Sequence, residues 1–215
     1  MSDNKASFRL SLWRDRRGSI TLEFAILLPV ICLIVTGFYE AYSYIRAVSL
    51  VERTAASLAN IMSRQTSNLI DCRTADSALN LGTYMAAAER VSQPLSLAKN
   101  GQVFLSAVDN PSGSARVAWQ RRGTFDFIDV GSVLGLQGTT AKVPTGLTPD
   151  MGNNDTLIVA EVAYRFRPFA YTAGVWPGNP GVVTIQRAAY FRARVSAQNT
   201  LLAPTNGCLT LPVPN

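Results

Sequence analysis

A chain of 215 residues, 47% of them hydrophobic, has the size of one globular domain or of an anchor carrying one domain. It contains no histidine, which removes imidazole acid–base work, Ser-His-Asp and Cys-His nucleophiles, and the commonest zinc ligand. The formal net charge is +6, and half of it lies in residues 1–18, where Lys5, Arg9, Arg14, Arg16 and Arg17 stand against Asp3 and Asp15.

This basic leader runs into Gly18, and from Ile20 to Tyr39 the only charge is Glu23. About 20 apolar residues match the length of a transmembrane helix. Positive charge before the run and little after it predicts a cytoplasmic N-terminus. Trp13 on one side and Phe38, Tyr39, Tyr42 and Tyr44 on the other have the chemistry of interfacial anchors. The run exceeds the 7–15 apolar residues of a secretory signal peptide. Ala41-Tyr42-Ser43, with its Tyr-rich flank, is the nearest approach to a signal-peptidase site. Glu23 costs about 2.5–3.5 kcal/mol at a bilayer centre and less near an interface, a cost for which a plain anchor has no use. The reading divides the chain into a leader (1–18), a transmembrane helix (19–44) and an exported head (45–215). An uncleaved anchor and ordinary signal-peptide removal stay open as alternatives.

Past the span, Val48, Val51, Ala55, Leu58 and Met62 repeat at spacings of three and four. One helix is therefore expected from Ile20 to about Arg64, with a kink or local unwinding between Ala25 and Pro29. Gln65 to Arg73 reads as a loop around Cys72. A second amphipathic helix is predicted from Asp76 to Ser92, with Leu79, Met85, Ala86 and Val91 inward and Pro94 ending it.

From Gly101 the period changes to two. Val103, Leu105 and Ala107 alternate with Phe104, Ser106 and Val108. A turn follows at Asn110–Ser114, then a strand with Val117 and Trp119 on one face. Residues 123–154, rich in Gly, Thr and Pro, read as an irregular insertion. The next strand sets Ile158, Ala160, Val162, Tyr164 and Phe166 against Glu161, Arg165 and Arg167, and Pro168 closes it. After the Gly/Pro loop Trp176–Gly181, a last strand aligns Val183, Ile185, Ala189, Phe191 and Val195. The fold class is α+β: a long N-terminal helix, a second helix, and an antiparallel meander of roughly four strands with helices on one face. Residues 201–215 are expected to be extended and held only by Cys208.

Cys32 lies in the span as a small apolar residue. Cys72 and Cys208 fall in the exported part, where disulfides persist, and are expected to pair. Ser96-Leu97-Ala98-Lys99 spells S-x-x-K, yet without its companion motifs it reads as a solvated loop. Asp150, Asn153, Asn154 and Asp155 could offer oxygens to calcium, but the spacing is that of a turn. No cofactor, no metal and no catalytic set is called for, so the chain reads as a non-enzyme. Arg165, Arg167, Arg192 and Arg194 would form a positive stripe on an exposed sheet face if their strands are neighbours, and could then contact DNA or another polyanion. A solvated face is the plainer account.

Arg17-Gly18-Ser19, then Glu23-Phe24-Ala25 and Leu28-Pro29, resemble the class III prepilin signal, a Gly at the cut and a Glu five residues beyond. More narrowly, they resemble the TadE-like pseudopilins, or minor pilins, of tight-adherence pilus systems. Phe24 stands where the major pilins of these systems usually carry Tyr. The match covers about the first 60 residues, and the rest agrees in general layout. The resemblance implies that a prepilin peptidase cuts between Gly18 and Ser19, and that Glu23, Phe24 and Pro29 serve assembly. It implies a major pilin, a related minor pilin and the inner-membrane assembly platform as partners. It places the head in the periplasm on a single-pass anchor, or outside the cell in a pilus, with adhesion or secretion downstream. An uncleaved, membrane-anchored periplasmic binding module is the alternative.

Overall fold

The computed structural model describes residues 19–111, 113–127, 129–144, 147, 155–169, 181–204 and 207–214. The chain forms two units, with the boundary between Ser43 and Tyr44. Helix α1 (Ser19–Ser63) begins in the first unit and ends in the second. It is helical through Pro29, so the expected local unwinding between Ala25 and Pro29 is not found. Proline removes one backbone bond, and the Leu-, Ile- and Ala-rich turns on either side keep helical geometry around it.

The second unit is α+β. Its remaining elements are α2 (Leu81–Val91), α3 (Leu97–Asn100), β1 (Gly101–Asp109), β2 (Arg116–Arg122), β3 (Thr156–Phe166), β4 (Val183–Arg192) and a 3-10 turn at Ser196–Asn199. The four strands form one antiparallel sheet in the order β2-β1-β3-β4. This corrects the expected meander. β3 returns beside β1, not beside β2, because the insertion after β2 is long enough to carry the chain back past β1.

Helices cover one face of the sheet. Val51, Ala55, Leu58 and Met62 of α1 are buried against Val103, Leu105, Ile158, Ala160 and Val162. Val48 is half-buried, while Ala47, Thr54 and Ala59 also face inward. A helix lying on a sheet buries a stripe wider than a coiled-coil seam. Thr54 fits there because its hydroxyl donates to the Leu50 carbonyl at 2.7 Å.

Helix α2 starts at Leu81, not at Asp76. The residues before it form a polar turn in which Thr74 donates to Asp76 at 2.7 Å and Thr83 donates to the Ser77 carbonyl at 2.6 Å. The inward face is Leu81, Tyr84, Met85 and Ala88. Of the expected set only Met85 is buried; Leu79 and Val91 are half-buried and Ala86 is exposed. Gly82 marks a close approach. A Cβ there would strike the Arg73 carbonyl, and its N–H donates to the Cys72 carbonyl at 2.8 Å.

The second face of the sheet is covered too. Leu134 and Ala141 from the insertion pack with Val108, Ala115, Val117, Leu157 and Val159. β1 is buried from Gly101 to Val108 and β3 from Thr156 to Ala163. Val117 and Trp119 do not share a face. A register shift between Ala107 and Val108 pairs Ala107 with Trp119 and Val108 with Val117. One extra residue in a period-two strand sends the side chains beyond it to the other side.

Candidate functional site

Three features carry chemical interest: the apolar part of α1, the disulfide region and the arginines. The apolar part of α1 reaches a mean hydropathy of 2.3 over 18 residues, and none of that stretch is buried. Ile20 is 78% exposed, Phe24 62% and Phe38 74%. Water gains nothing from such a surface, so length and composition suit a membrane crossing, as an anchor or a signal segment. Glu23 lies in the second turn, four residues after Ser19, the first residue of the helix. Residues at that spacing share a helix face. Gly18 and Trp13 lie outside the described residues.

Cys72 and Cys208 form a disulfide with Cα atoms 5.6 Å apart and 136 residues between them in sequence. It links the segment leading into α2 to the C-terminal segment. That segment is held by more than the disulfide. The Leu202 N–H donates to the Leu69 carbonyl, the Arg73 N–H to the Leu209 carbonyl and the Arg122 N–H to the Pro212 carbonyl, each at 2.9 Å. Leu211 is buried, and its N–H donates to Asp71 at 3.1 Å. Asp71 also takes the Arg121 guanidinium at 2.7 Å. The backbone bonds use groups that a Pro-rich segment still offers, chiefly carbonyls, which its composition alone does not disclose. Beside the disulfide lies a half-open cleft of about 470 Å³ lined by Ile70, Thr74, Asp76 and Asn80. Hydrogen bonding, above all from Thr74, holds the Asp76 carboxyl below its usual range.

The arginines do not form a stripe. β3 and β4 are neighbours, but Arg165 lies opposite Thr184 and Arg192 opposite Leu157. Eight residues separate these positions along β3, about 26 Å at 3.3 Å per residue. Antiparallel pairing therefore sends them to opposite ends of the sheet. Arg165 lies over the Phe127 ring at 4.3 Å and pairs with Asp129 at 3.5 Å; Arg192 pairs with Asp155 at 3.4 Å. Arg167 follows the end of β3, and the Arg194 N–H donates to the Ser63 carbonyl at 3.0 Å.

Ser96 and Lys99 flank a buried Leu97, with Glu89 capping the Ala98 N–H at 2.8 Å. Asp150, Asn153 and Asn154 lie outside the described residues, as does the loop from Trp176 to Pro180. Among the described residues no cluster of Cys, Asp and Glu gathers to hold a metal.

Glu161, set by the alternation on the face opposite Ile158, Ala160 and Val162, is fully buried. Its Oε2 accepts from the Val133 N–H at 2.7 Å and from Gln186 at 3.3 Å, while Oε1 accepts from the Ser132 hydroxyl and from the Leu134 N–H at 3.4 Å. Gln120, buried on β2, donates to Ser132 at 2.8 Å and to Ser106 at 3.1 Å. Burial, and then the Glu161 charge, push the Tyr190 phenol above its usual value. A carboxylate between Ala160 and Val162 is the sequence signal for this network. Its burial depends on an insertion without periodicity. No family model matches this chain, and no curated protein or solved structure matches it.

Proposed function

We propose that the chain is the membrane-inserted precursor of a pilin-like subunit, similar to the TadE-like minor pilins. It is the substrate of a prepilin peptidase and not itself a catalyst. One observation carries this reading. The helix that opens at Ser19, directly after the basic cluster and Gly18, begins with an apolar stretch whose large side chains are exposed, and its one early carboxylate is Glu23.

Hydrolysis of the Gly18–Ser19 bond would leave a carboxylate on Gly18 and an ammonium on Ser19. A cation at a helix N-terminus opposes the helix dipole. Glu23, one turn on, offsets that cost within the same chain, or pairs with the ammonium of a neighbouring subunit in the membrane. The leader keeps the N-terminus cytoplasmic until the cut, and the head faces the other side. The apolar helix then joins the subunit to a filament, its base or its tip, in which major pilin, a related minor pilin and the assembly platform are the partners.

The test is the intact mass of membrane-purified protein made with and without a co-expressed prepilin peptidase. The wild type is expected to lose residues 1–18 only with the peptidase present, and Gly18→Leu is expected to stay full length. Glu23→Ala is expected to be cut yet to fail in filament assembly. A wild-type chain that stays full length beside an active cognate peptidase would instead favour the permanently anchored binding module.

A further inference from the structure

We infer that the end of the head where α1 enters it is a lipid-facing surface. There, Arg46 and Arg167 engage anionic phosphate headgroups, and Ile45, Val182 and Val183 rest in the interfacial zone. The inference rests on the proposal that residues 20–44 cross a membrane.

Tyr44 is the first residue of the second unit, and its ring packs edge-on against Phe166 at 5.5 Å. Phe166 ends β3 and pairs with Val183, the first residue of β4. The entry of α1, the end of β3 and the start of β4 therefore meet at one place. Arg46 follows Tyr44 by two residues, about 3 Å along the helix, and Arg167 follows Phe166 by one. A chain leaving a bilayer near Tyr44 keeps this end within reach of the headgroup layer, which is about 5–7 Å thick per leaflet.

The side chains there suit that layer. Arg46 and Arg167 are exposed, and among the described residues neither takes part in an ion pair. Arg165, the next cation along, is occupied by Asp129 and Phe127. Ile45 is 64% exposed, Val182 51% and Val183 42%. At the opposite end of the sheet Arg116 pairs with Asp109 and Arg192 with Asp155, while the exposed Arg194 is in no ion pair among the described residues. Cations in no ion pair among the described residues, beside exposed apolar groups, complement an anionic lipid surface. Guanidinium forks match phosphate oxygens, and small apolar side chains enter the acyl boundary. Docked this way, the head is held against the membrane before assembly draws it out.

The test uses the full chain with Cys32→Ser, reconstituted in nanodiscs of phosphatidylcholine and phosphatidylglycerol in equal parts. A fluorophore is attached at Val182→Cys or, as the control, at Ser114→Cys in the turn at the far end of the sheet. A nitroxide on the lipid headgroup serves as quencher. Strong quenching is expected at position 182 and little at 114. Each of Arg46→Gln and Arg167→Gln should weaken headgroup attachment about fivefold, and Arg→Lys should retain most of it. Replacing the anionic lipid with phosphatidylcholine should mimic the double Gln variant. Equal quenching at 182 and 114, in discs that contain the chain, overturns the docking surface and leaves the anchor standing. A chain that does not enter discs, and is released from membranes by carbonate, overturns the anchor and this surface with it.

Discussion

Glu161 fastens residues 132–134 to the sheet through both carboxylate oxygens, in a place closed to water. Removing it strands the Val133 N–H and the Ser132 hydroxyl, while the Leu134 N–H keeps its bond to Ser132 at 3.2 Å, and an unsatisfied buried donor costs about 1–3 kcal/mol. Glu161→Ala is expected to lower stability by about 3 kcal/mol or more, read as the loss in unfolding free energy on urea titration of the purified chain. Glu161→Gln keeps one acceptor oxygen and puts an amide N–H where the other stood, so its loss should be smaller. Equal stability for Glu161→Ala and wild type would show that water enters and replaces the carboxylate. Gln120 and Ser132 extend the same network, so changes at these positions should not add independently.

At the scale of an element, the phase of α2 decides which alanine carries weight. Starting at Leu81, the helix turns Ala88 into the core and Ala86 to solvent. Ala88→Asp would bury a charge with no partner, and a loss of about 3 kcal/mol or more is expected. Ala86→Asp should stay within about 0.5 kcal/mol of wild type. Thermal unfolding of the two variants checks this, and the reverse order would refute the observed phase. Periodicity alone favours an earlier start because Ala and Leu continue back to Ala78 and Leu79. The competing structure is the turn built by Thr74, Asp76 and Asn80, with Ile70 bridging to Asn80 and to Leu202. The last of these partners is more than a hundred residues away in sequence, and no local pattern announces it.

For the molecule as a whole, the disulfide and the C-terminal segment close the second unit. A bridge over 136 residues is worth about 4–5 kcal/mol on the chain-entropy account. Cys72→Ser with Cys208→Ser is expected to lose most of that in stability. Hydrogen exchange should also quicken at the Arg73 and Arg122 amides, which bond to Leu209 and Pro212. If those amides stay protected without the disulfide, the buried Leu211 and the Asp71–Arg121 pair hold the segment unaided.

Much of this protein was legible from residue order, because the signals were local. A run of residues from Ile20 to Tyr39 whose one charge is Glu23 specifies an apolar helix from neighbours in sequence alone. Alternation specifies β3 and its inward set, since a period of two depends on neighbours in sequence. The class, a long helix with four antiparallel strands, followed from those periods. Tertiary structure alone decided the strand order, the burial of Glu161 and the separation of Arg165 from Arg192. Each of these depends on where the insertion after β2 runs and on which way the neighbouring strand points. Both are set by contacts between residues distant in sequence, whose cost and gain appear only when the whole sheet is assembled.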